Sequence, residues 1–181
     1  MLETTVDAIA EHGVMGVSVD KVAARSGVSK ATIYRHWGSR ARLINAAISS
    51  LQPTTVEPDT GSLRDDLVVL LLHLVEYFDT PRVAEVFPSF LDAAVRDREL
   101  AELRQETLRM GRASFERVVE LGVVRGELPA DVDVHLVADF ARAPIIYRCV
   151  VARTPVRASD VEPIVDAVLA AFRSVSAPTA S

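Results

Sequence analysis

Residues 18–43, SVDKVAARSGVSKATIYRHWGSRARL, decide how this chain is read. A short run with helical spacing, Val19, Val22 and Ala23, stops at Gly27. A second begins at once, with Ser29 at the N-cap position and Ile33 and Trp37 as its apolar positions. Two short helices joined by a tight glycine turn form the helix-turn-helix pattern, whose second helix lies in the major groove of DNA.

Working outward, Leu2, Val6, Ile9 and Ala10 follow helical spacing up to Gly13, which predicts a first helix of about three turns closed by a left-handed glycine. Ser18 is the expected N-cap of the second helix, with Asp20 favourably placed in its first turn. Gly38-Ser39 breaks and re-caps the chain, and Leu43, Ile44, Ala47, Ile48 and Leu51 mark one face of a fourth helix. Residues 1–51 therefore read as a small helix-turn-helix domain with Ile33, Trp37 and Val22 in its core.

Residues 52–61, QPTTVEPDTG, combine two prolines and a glycine with no apolar periodicity and read as a linker. From Leu63 to Phe78 apolar residues occupy nearly every face, so this helix is expected to be the pillar of a second domain over 62–173. Thr80-Pro81 starts another helix to about Val95, containing Pro88. A long amphipathic helix spans roughly 99–124, and a helix over 132–152 is expected to kink at Pro144. The final helix carries Val161, Ile164, Val165, Val168, Leu169 and Phe172 at i, i+3, i+4 spacing. The tail over 174–181 reads as disordered. No strand pattern occurs, and the fold is expected to be all-α with about nine helices.

Composition limits the function classes. The 49% hydrophobic content supports a buried core, and the single cysteine allows no internal disulfide. The longest apolar run, Leu67–Leu72, is far shorter than a bilayer span, and no signal-peptide pattern is present, so a cytoplasmic protein without a membrane partner is expected. The net charge of −5 is unevenly spread. Residues 1–52 hold six Lys/Arg against four Asp/Glu, whereas the remainder holds fourteen against twenty-one. Within 18–45 the same six bases meet only Asp20, and both lysines of the chain, Lys21 and Lys30, fall there. Local positive potential attracts nucleic acid whatever the total charge.

The segment GVSVDKVAARSGVSKATIYRHWGSRARLI resembles the DNA-binding domain of the TetR family of bacterial transcriptional regulators. The match runs through the Val-Ala-Ala of the second helix, the Gly-Val-Ser turn, Thr32 and Tyr34, the His36-aromatic pair and the Ser39-Arg40 start of the fourth helix. The resemblance implies a ligand-responsive regulator, by family default a repressor, with a C-terminal ligand-binding and dimerisation domain. It also shows departures: no basic arm precedes the first helix as given, so arm contacts to DNA are expected to be either absent or lost by truncation or start-site choice, and Gly38 and Arg40 stand where lysine is common.

Within that frame Lys30 and Arg35 are expected to donate to guanine O6 and N7, Ala31 to touch a thymine methyl, and Thr32 and Tyr34 to bond phosphates. His36 is expected to meet a phosphate or bridge helices. Ser18 and Arg40 stand at helix starts, where backbone N–H groups attract phosphate. One such unit reads too few base pairs for selectivity, so a dimer on a palindromic operator is expected. Its interface is read from the last two helices: Val134, Val137, Phe140, Ala141 and Ile145 on one, and Val161, Ile164, Val165, Val168, Leu169 and Phe172 on the other. His73, Tyr77, Phe87, Phe90, Met110, Phe115, Tyr147 and Cys149 are the candidate lining of a pocket for a small apolar or amphipathic effector.

Two other functions fit parts of the sequence. A regulator without a small-molecule ligand would use the same DNA-binding unit. An all-α metal enzyme would need more than the His73/Glu76 and His135/Asp139 pairs, which lack the further ligands a metal site requires. No glycine-rich phosphate loop or nucleophile elbow is present, and no cofactor or metal is expected.

Overall fold

The structure is a computed structural model that describes residues 1–52 and 56–173. The described residues form nine α-helices and no strand. They divide into two compact units, Met1–Pro53 with Thr80–Arg109 and Thr54–Asp79 with Met110–Ser181.

The first unit contains α1 (Leu2–Gly16), α2 (Val19–Ser26), α3 (Lys30–Trp37), α4 (Arg40–Ser49), α6 (Pro81–Arg96) and the beginning of α7 (Arg98–Val124). Gly13 carries a φ of 68° inside α1, so the helix kinks there and runs one further turn. The kink frees the backbone N–H of Val14, which donates to Ser89 Oγ of α6 at 2.8 Å. Val6, Ile9, Val22, Ile33, Leu43, Ile44 and Ile48 form one buried cluster with Val86, Phe90 and Leu100. Trp37 packs against that cluster only partly buried. Residues 80–109, assigned by the linear reading to the second domain, thus cluster with the helix-turn-helix. The physical reason is the apolar stripe of α6, which lies on α1 and is fastened by an Arg82–Asp7 ion pair.

The second unit is built on α5 (Leu63–Asp79), with the end of α7, α8 (Val134–Ile146) and α9 (Val161–Arg173). Leu63, Leu67, Leu70 and Leu71 are buried, and Gly122 of α7 admits Leu63, whose Cδ2 lies 2.6 Å from where a Cβ would stand. Asp66 is fully buried: Thr60 donates to it through N and Oγ1 at 2.7 and 2.8 Å, and Arg125 Nη1 at 3.1 Å. Burial alone would raise the Asp66 carboxyl, but these donors hold it below the ordinary aspartate value. On the outer face Arg64 joins α5 to α9 through Asp166 and Glu162.

Pro144 lies inside α8, and beyond it the chain widens into a π-helical segment, Tyr147–Ala152, closed by Arg153 in the left-handed region at φ 51°. Proline removes one rung of the helical ladder. A short 3-10 turn, Ala158–Asp160, leads into α9. Part of the expected linker (53–55) and the whole expected disordered tail (174–181) lie outside the described residues.

Candidate nucleic-acid interface

The α2-turn-α3 unit is set by local chemistry. Gly27 ends α2 at φ 69° with nothing within 4 Å of a Cβ built there, so backbone conformation, rather than space, selects glycine. Ser29 then caps α3, its Oγ accepting from Thr32 N at 3.2 Å. Ile33 and Val22 are buried, which turns the opposite face of α3 outward. Lys30, Ala31, Tyr34, Arg35 and His36 are exposed on α3, and Thr32 is half-buried with its hydroxyl 2.9 Å from that of Ser29. Five of the expected contact residues therefore share the surface of a single two-turn helix. The His36 ring also stands edge-on to Trp37, with centroids 4.3 Å apart.

Asp20, the sole acid of this stretch, forms an ion pair with Lys30. The sequence places Asp20 in the first turn of α2 but does not reveal that α3 brings Lys30 against it. Arg35 has no ion-pair partner among the described residues. Ser18 occupies the N-cap position of α2 without a side-chain capping bond. It lines an open groove of about 200 Å³ shared with Thr4, His12, Lys21 and Arg25.

Arg40 is engaged within the unit. Its guanidinium is directed back into the unit, Nε donating to Val17 O at 2.8 Å and Nη2 to Val14 O at 2.5 Å. It reaches the carbonyls where α1 ends, Val14 O accepting also from Val17 N at 3.3 Å, so it acts as an internal staple. The start of α4 is further occupied by Glu99 of α7. Ser39 caps Arg42 N at 3.1 Å and donates its hydroxyl proton to Glu99 Oε1 at 2.5 Å, with Arg42 Nε 3.9 Å from the same oxygen. Sequence reasoning missed Glu99, and its single signal is an acid at the start of a long helix.

The expected interface residues of the last two helices are mostly core within one chain. Val137, Ala141, Ile145, Val161, Val165, Val168, Leu169 and Phe172 are buried, because α9 packs on α5 and α8 of its own unit. Val134 and Ile164 are half-buried, and Phe140 alone is exposed, at 53%, with its ring edge-on to Phe172 at 5.4 Å. Exposed apolar surface on this side comes instead from Leu136, Phe140 and Tyr147, spaced along one face of α8 and its π-helical extension.

The expected pocket residues are likewise dispersed. Phe90 belongs to the buried cluster of the first unit, and Phe87 is buried on the same helix. Met110 and Tyr147 are exposed. His73, Tyr77 and Cys149 are half-buried and Phe115 is buried in the second unit, where burial pushes the Tyr77 hydroxyl up to about 12. Aromatic and sulfur side chains are common in ordinary cores, so residue type alone does not gather a site. No helix among the described residues is long and apolar enough to cross a membrane.

A capped recognition helix that exposes Lys30, Tyr34 and Arg35 while burying Ile33, on an all-α body, defines a helix-turn-helix DNA-binding regulator. Family models agree with this in both halves. Residues 1–47 match the bacterial regulatory proteins of the tetR family, and residues 57–168 match the tetracyclin repressor-like C-terminal domain. The chain belongs to the TetR family of transcriptional regulators. It is 33% identical over its whole length to an uncharacterized HTH-type transcriptional regulator of Bacillus subtilis, YdeS, covering 90% of that protein. Over 82% of its length it is 30% identical to the DNA-binding transcriptional repressor TetR of Mycobacteroides abscessus, covering 79% of that protein. A crystal structure of a TetR family transcription regulator superposes with a TM-score of 0.72 at 25% identity, covering 93% of this chain and 94% of that one.

Proposed function

We propose that this regulator is a cytoplasmic repressor that binds a palindromic operator as a homodimer and is released by a small-molecule effector. The observation that carries the DNA-binding part is the exposed face of α3, where Lys30, Ala31, Tyr34 and Arg35 are presented together and held by the Ser29 cap. Lys30 and Arg35 donate to base edges, while Thr32, Tyr34 and Ser18 set register on phosphates. Arg40 supports the frame instead of touching DNA.

Dimerisation is supported by the apolar surface that one chain leaves open, with Leu136 at 45% and Tyr147 at 60% exposure beside Phe140. Effector control is supported by kinship with the tetracyclin repressor-like C-terminal domain across residues 57–168. The linker near 52–61 is, on this reading, the boundary between the two inherited modules, although residues 80–109 pack with the first.

Selection of bound fragments from a random DNA pool tests the proposal directly. A two-fold symmetric consensus is expected, and Lys30→Ala with Arg35→Ala should abolish its specific retention while the protein stays folded and dimeric. Specific binding by the double variant would remove α3 as the reading element.

A further inference from the structure

We propose that Arg142 anchors an acidic effector: an amphipathic molecule with one carboxylate, bound in the second unit with its apolar body against Phe115. This deepens the effector-released reading above and rests on it.

Arg142 lies on α8 with only 8% of its surface exposed. Its guanidinium stands over the Phe115 ring, 5.5 Å from the centroid, and beside Gly111, where an added Cβ would lie 3.6 Å from Nη2. A guanidinium offers five N–H donors and does not give up its proton. Among the described residues those donors make no hydrogen bond, and Nε is buried without a partner. The nearest carboxylate oxygen, Asp139 Oδ1, is 4.0 Å from Nη1.

The acids around it are committed elsewhere. Asp139 accepts from Arg112 Nη1 at 3.4 Å through its other oxygen. Glu116 lies 2.5 Å from Arg112 Nε and 2.6 Å from His135 Nδ1. Arg142 is thus a desolvated cation with no hydrogen-bonded acceptor, its one carboxylate partner, Asp139 at 4.0 Å, being shared with Arg112, an arrangement that an apolar residue of similar size would improve if packing were its only purpose. An incoming carboxylate supplies what is missing, because its two oxygens match the guanidinium fork.

The class of ligand follows from the surroundings. Phe115, Ala138, Ala141 and Ile145 are buried apolar neighbours on the two helices, which suits a hydrocarbon or aromatic body. A doubly charged phosphate would place its second charge near Asp139 and Glu116, whereas a monocarboxylate brings a single negative charge to a guanidinium that shares its only carboxylate with Arg112.

The test uses the full-length protein with octanoate and benzoate, each beside its neutral amide, in thermal-shift and calorimetric titrations. The acids are expected to raise the melting temperature and to bind at least about tenfold more tightly than the amides. Arg142→Met should fold at least as stably as the parent without ligand, since no hydrogen bond is lost, and should bind acid and amide alike. The proposal is overturned if neither acid binds, if acid and amide bind equally to the parent, or if Arg142→Met is strongly destabilised without ligand. It also falls if the acid preference survives in that variant. Release from the selected operator separates the two readings: amides that release it regardless of Arg142 would leave effector control standing and remove only the acid assignment.

Discussion

Replacing Arg40 by methionine distinguishes a staple from a phosphate ligand. Arg40→Met keeps the aliphatic stem and removes the donors that reach Val17 O and Val14 O at 2.8 and 2.5 Å. Hydrogen bonds to a charged group contribute about 1.5–3 kcal/mol each, and the half-buried position lets water recover part of that, so the loss expected is about 2–4 kcal/mol. For a chain of this size the melting temperature should fall by roughly 5–15 °C. Arg40→Lys, with one reachable donor cluster in place of a fork, should fall between the two. The companion assay is the salt dependence of operator binding. A phosphate contact contributes about 0.9 to the slope of log affinity against log salt, so a dimer that lost one in each subunit would lower it by about 1.8. The structural role predicts an unchanged slope for the folded variant. Parental stability together with a slope lowered by nearly two would refute the staple.

Other perturbations test neighbouring claims. Asp20→Asn should free Lys30 and raise affinity for random-sequence DNA by up to about fivefold, because an exposed ion pair holds at most about 1 kcal/mol; a gel-shift titration that shows weaker binding would exclude a restraining role for Asp20. Asp66→Asn should cost about 2–3 kcal/mol at neutral pH. Since the folded Asp66 carboxyl sits below its ordinary value, its stabilisation is complete above about pH 4 and is lost as pH falls through the folded value. Denaturant curves of parent and variant should therefore converge in acid, and a gap that widened in acid would contradict the assignment. Phe140→Asp should give folded monomers by sedimentation, whereas Val165→Asp, which places a charge in the core of one chain, should impair folding itself. A folded, monomeric Val165→Asp would return that helix stripe to the subunit interface.

The fold was legible wherever a signal is local. Gly27, Ser29 and Ile33 act within a few residues of themselves, and the turn, cap and buried face all stand where periodicity puts them. What escaped was the identity of the partner. An arginine at a helix start reads the same whether it faces a phosphate or the carbonyls of a preceding helix, and Arg40 does the latter. The stripe of α9 states that one face is covered without stating by what, and α5 and α8 of the same chain cover it. Phe87 and Phe90 resemble pocket aromatics in composition, yet they are buried on a helix of the other unit. Arg142, a charge set among buried positions 138, 141 and 145, was visible in the helical register but reads as noise until its donors are counted.

The participation of Phe90 and Leu100 in the helix-turn-helix core has a consequence for how the protein is made. As the chain leaves the ribosome, the first four helices emerge with an apolar face whose cover has not yet been synthesised, and residues 56–79, which belong to the other unit, come next. The DNA-reading end is finished only after about a hundred residues have been translated. A fragment cut after residue 52 would leave the helix-turn-helix core without Val86, Phe90 and Leu100, and chimaeras that exchange recognition helices between regulators should carry residues 80–109 with them.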